Sequence, residues 1–69
     1  MALIAFASKS YYNKALTLTT VGIRTHDIED IKLALQNADK ALSINSDDKS
    51  AQGLKTSLEQ LLAWNHGQG

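Results

Sequence analysis

The chain has 69 residues, 43% of them hydrophobic, with seven bases against seven acids and neither cysteine nor proline. That length makes one small domain near the lower limit for a self-sufficient core, and the apolar fraction is too high for wholesale disorder. Zero net charge argues against a general nucleic-acid binder, which needs a basic surplus to displace counterions from phosphate. The absence of cysteine rules out disulfide bracing and thiolate metal or redox centres.

Residues 1–7 are apolar but too few to cross a bilayer. Their nearest bases follow the apolar run instead of preceding it, unlike a secretory leader. A cytoplasmic protein, or a piece of a larger one, is expected. From there Leu3, Ala7, Tyr11, Ala15 and Leu18 recur at three- and four-residue steps, which predicts a first helix over about 3–20. It weakens at Thr19-Thr20-Val21-Gly22-Ile23, where β-branched residues and glycine lower helix propensity. Residues 21–26 are open to either helix or loop. Tyr11 and Tyr12 are consecutive, so one is expected to pack and the other to face outward.

Thr25 or Asp27 can cap a second helix over about 27–44, with Glu29 and Asp30 in its first turn. Its apolar stripe is Ile28, Ile31, Leu35, Ala38 and Leu42. Asn45-Ser46 ends it, and Ser46 or Asp47 is expected to cap a third helix over about 47–64. That helix carries Ala51, Leu54, Leu58, Leu61 and Leu62 and finishes at Trp64. Gly53 within it signals either a close backbone approach or tolerance at an exposed site. Residues 65–69 read as a disordered tail behind a single domain, 1–64. Joints of about six and three residues make neighbouring helices antiparallel. The fold class is therefore all-α, with three antiparallel helices.

The charges are unevenly placed. Lys9, Lys14 and Arg24 stand in residues 1–24 with no acid, whereas residues 25–69 hold seven acids and four bases. Helix N-termini account for Asp27, Glu29, Asp30, Asp47 and Asp48. A basic first helix that docks on an acidic partner is the other reading.

Lys14-Ala15-Leu16-Thr17-Leu18 and Lys40-Ala41-Leu42-Ser43-Ile44 repeat one phrase, in which a small residue beside a large one suits close helix packing. The stretch from Ala34 through Ala38, Ala41, Leu42 and Ile44 to Ser46-Asp47-Asp48 resembles the second helix and following turn of a tetratricopeptide repeat. Residues 49–62 are similar to the polar-backed helix that closes such arrays, and Ile4, Ala7, Ser8 and Tyr11 pass for the repeat's first helix. Two features depart from the family. Ser46 stands where proline is usual, and Ala15 and Ala41 are 26 positions apart against a repeat of about 34. A tetratricopeptide-like hairpin with a capping helix and a simple three-helix bundle both fit the pattern.

The resemblance implies a non-catalytic adaptor or scaffold that holds a protein or peptide partner in a groove. On that geometry Thr19, Ile23 and His26 of the first helix and Ser50 and Ser57 of the third line the groove. Tyr12 is a further candidate contact. Asn13 and Lys14 are adjacent and diverge by about 100° on a helix, so a paired clamp on a carboxylate is not expected. The alternative is a homo-oligomeric bundle that buries the apolar surplus of helix one against its own copy.

Chemistry leaves little trace. His26 beside Asp27 suggests a base and its orienter, but no nucleophile stands in a strand-to-helix elbow. His26 and His66 are forty positions apart with no carboxylate cluster that completes a metal site, and phosphate-binding glycine motifs are missing. The sequence thus points to no enzyme, no catalytic or metal-ligating residues, no cofactor, and neither a nucleic-acid nor a membrane partner.

Overall fold

A computed structural model describes residues 2–68, with side chains described for residues 6–64. Three helices follow one another: α1 Ala2–Thr25, α2 Ile28–Ile44 and α3 Lys49–Gln68. The fold is all-α, as the three stripes predict. The side chains of Leu3, Ile4 and His66 and the whole of Gly69 lie outside the described residues, and 65–68 continue α3 where the sequence suggests a tail.

Contacts at the two ends fix the up-down-up path. Ser8 near the start of α1 meets Ala41 and Asp48, at the end of α2 and the start of α3. Gly22 near the end of α1 meets Ile31 in the first turns of α2. The molecule is long and thin, 43 × 18 × 13 Å. α2 packs along α1 and more lightly on α3, while α1 and α3 barely touch.

The α1–α2 seam is made of small residues. Ser8, Ala15 and Gly22 are all buried and stand seven apart, so they share one face of α1. Opposite them α2 buries Ile31, Ala34, Ala38 and Ala41. Side chains this small let two backbones approach closely. The core cluster comprises Ala15, Ile31, Ala34, Ala38 and Leu58, with Leu18, Leu35, Leu54 and Leu62 packed around it. Tyr11 and Tyr12 straddle the seam and are both half-buried, so neither packs fully. Lys40 lies 5.6 Å from the Tyr11 ring centroid.

The first joint is the main departure from expectation, because α1 does not stop near Thr20. Packing of Gly22 on α2 outweighs the weak local propensity, since tertiary contact supplies most helix stability in proteins. The threonine hydroxyls turn back onto their own helix: Thr19 Oγ1 donates to the Ala15 carbonyl at 2.7 Å, and Thr25 Oγ1 to the Val21 carbonyl at 2.8 Å. Only His26 and Asp27 connect α1 to α2. The Asp27 amide donates to the Gly22 carbonyl at 2.9 Å and the His26 amide to the Ile23 carbonyl at 3.4 Å, with His26 left-handed at φ 58°. That pattern is a Schellman close with histidine where glycine is usual. Asp27 then caps α2, its carboxylate accepting from the Glu29 amide at 3.0 Å.

The second joint is four residues, 45–48. Asn45 Oδ1 accepts from the Asp47 amide at 3.2 Å. Asp48, one or two positions beyond the expected cap, closes α3 by accepting from the Ala51 amide at 3.2 Å. Among the described residues no helix is long and apolar enough to cross a membrane.

Candidate functional site

Where α1 turns into α2, the upper part of α3 lies alongside and leaves an open cleft of about 190 Å³. Gly22, Ile23 and His26 form one wall, Asp27, Ile28 and Ile31 the floor and the second wall, and Leu61 and Trp64 the third. The lining is mostly apolar. Ile23 is 55% and Trp64 65% exposed, so two large apolar side chains stand at an open mouth. Drug-sized ligands occupy roughly 300–1,000 Å³; this cleft suits one or two side chains of a larger partner.

Each wall has its own cause. Gly22 lets α2 approach until Ile31 fills the place where a Cβ would stand. The left-handed His26 reverses the chain within two residues and leaves its side chain at the rim. Leu61 and Trp64 are three apart on α3, and Leu58, three before Leu61, holds that helix on the core. The Asp27 carboxylate is engaged in capping α2, and its position there lends the cleft one acidic edge.

Of the six residues singled out from the sequence, Ile23 and His26 meet in this cleft and the others do not line it. Thr19 is half-buried and Ser50 and Ser57 are exposed. Helical period nevertheless puts Ser50 and Ser57 on the side of α3 that carries Leu61 and Trp64, and Tyr12 and Thr19 on the side of α1 that carries Ile23. Sequence reasoning missed Gly22, Asp27, Ile28, Ile31, Leu61 and Trp64 as site residues, because it assigned Asp27 to a helix cap and the last four to the core or the bundle end. The signal available was Trp64, a large aromatic at the limit of a leucine stripe.

Electrostatics around the cleft are mild. Glu29 pairs with Lys32 at 3.4 Å on an exposed face of α2. Farther down, Lys55 of α3 meets Asp39 of α2 at 2.7 Å, and that hydrogen bond and the carboxylate's charge raise the Lys55 pKa. Among the described residues no three of His, Asp and Glu gather closely enough to hold a metal ion. No family model, curated protein or solved structure matches this chain.

Proposed function

We propose that this chain is a non-catalytic protein–protein interaction module that receives an apolar side chain of a protein or peptide partner in the cleft between Ile23 and Trp64. The observation that carries the reading is the pair of exposed large apolar residues at an open, mostly apolar cleft. Aromatic anchors in such settings carry a large share of binding energy. An adaptor role of the tetratricopeptide-like kind accords with these features.

The test is a random-peptide display selection on the immobilised protein, counter-selected against an Ile23→Asp variant. The reading expects enriched peptides that share a large apolar residue and lose affinity for Ile23→Asp. Enrichment of sequences that bind both proteins equally would contradict it.

A further inference from the structure

Phe6, Lys9, Asn13, Leu16, Thr20 and Ile23 recur along α1 at alternating three- and four-residue steps, and all six are exposed. Such spacing puts them on one stripe of the helix surface, half apolar and half polar. Its apolar members are Phe6 at 77%, Leu16 at 43% and Ile23 at 55% exposure. α2 does not cover them, because the face that α1 turns to α2 is Ser8, Ala15 and Gly22. The stripe also has a destination: Ile23, its last member, is a wall of the cleft.

The charge on α1 selects the occupant. Lys9 lies within the stripe, Lys14 and Arg24 lie elsewhere on the helix, and no acid occurs in residues 1–24. Two copies of α1 laid together would leave Lys9 without an acid to meet it, since it would face its own counterpart in a parallel pair and Thr20 in an antiparallel one. A helix with acids flanking an apolar seam would find opposite charges instead.

We propose that the α1 stripe docks an acidic amphipathic helix of a partner protein, with that helix's apolar anchor seated in the Ile23–Trp64 cleft. The proposal rests on the docking role of the cleft and adds the partner's chemistry and path. Phe6 to Ile23 spans about 26 Å, so the partner segment is roughly five helical turns. Asp27 stands at the cleft end, so the partner's acids fall along the half that carries Lys9 and Lys14.

Two synthetic peptides of about 21 residues test this, sharing one leucine seam and flanked by glutamate in one and lysine in the other. Fluorescence anisotropy of the labelled peptides is read at low and high salt. The glutamate peptide is expected to bind at least about tenfold tighter, with the preference shrinking as salt screens the pairs. Leu16→Asp, at an exposed site and checked for helicity by circular dichroism, should weaken it about tenfold. Lys9→Glu/Lys14→Glu should reverse the preference. Equal affinities, a preference for the lysine peptide, or indifference to Leu16→Asp overturn the proposal. Equal affinities that Ile23→Asp abolishes would overturn acid selection while leaving the cleft as a docking site. Failure of both peptides, alongside a display selection that yields no ligand sensitive to Ile23→Asp, would remove both readings. Concentration-dependent sedimentation lost in Leu16→Asp would put a second copy on the stripe and also overturn it.

Discussion

A Cβ atom placed on Gly22 would stand 2.7 Å from Cδ1 of Ile31, closer than carbon atoms tolerate. The same atom would meet Ile31 Cγ1 at 3.1 Å and the Asp27 carbonyl oxygen at 3.2 Å. The glycine that looks like a helix weakness is thus the point at which α1 and α2 come together, and the cleft opens beside it.

Gly22→Ala therefore sets two effects against each other. Alanine improves helix propensity by about 1 kcal/mol, while forced overpacking costs about 1–3 kcal/mol. Ile31 can rotate, but the Asp27 carbonyl is backbone and cannot. The clash wins, and urea denaturation should show a net loss of stability. Gly53 makes the control, since a Cβ there meets nothing within 4 Å. Gly53→Ala should stabilise by about 0.5–1 kcal/mol. The same sign for both variants would contradict the packing described.

His26→Gly should also stabilise. A left-handed backbone costs a non-glycine residue about 1–2 kcal/mol, partly offset by the entropy that glycine loses on folding. A net gain of about 0.5–1 kcal/mol is expected in the denaturation midpoint. His26→Val should do the reverse, because a β-branched side chain fits φ 58° worse.

Ser8 and Asp48 should behave as a coupled pair. The buried Ser8 hydroxyl lies 3.2 Å from the Ala41 carbonyl and 3.1 Å from Asp48 Oδ2, so its one proton is shared between two acceptors. Asp48→Ala removes both this contact and the α3 cap and should cost about 1–2 kcal/mol. Ser8→Ala should cost less, since it fits the seam and the Ala41 carbonyl keeps its bond from the Asn45 amide. The double variant should lose less than the two losses added; strict additivity would show that the two side chains do not interact.

The Lys55–Asp39 pair predicts a pH effect of known sign. The hydrogen bond to Asp39, and then its charge, raise the Lys55 pKa in the folded protein above its ordinary 10.5. Folding is therefore helped in full below 10.5, and that help is lost as pH rises through the folded-state value. Both side chains are partly exposed, at 36% and 51%, which keeps the effect small. Lys55→Met should lower Tm slightly at neutral pH, and the difference should vanish once pH has risen through the raised folded-state value of Lys55. A gap that widens with pH would contradict the sign.

Much of this fold is legible in the chain because its signals are local. Ile31, Ala34, Ala38 and Ala41 repeat with helical period, and Asp27 announces the start of α2. The end of α1 was not legible, since its helicity is decided by Gly22 meeting Ile31, a contact between elements that no window of residues contains. Ser8 and Asn37 are buried despite their polarity because each hydroxyl or amide finds a backbone carbonyl, which composition does not reveal. At the cleft, Ile23 and His26 are legible only through the expected groove of a tetratricopeptide-like arrangement, which also names Thr19, Ser50 and Ser57. Leu61 reads as core and Trp64 as a plug at the bundle's end, because a leucine stripe does not tell where its partner helix stops covering it.

Trp64 is the sole tryptophan and stands at the mouth of the cleft, so its emission reports occupancy directly. The central measurement is a titration of the protein with a display-selected apolar-anchor peptide, followed by Trp64 fluorescence in wild type and Ile23→Asp. The account predicts a saturable blue shift as the indole loses water, with affinity at least about tenfold weaker in the variant. An emission spectrum unchanged at peptide concentrations that saturate binding would show that the partner docks elsewhere.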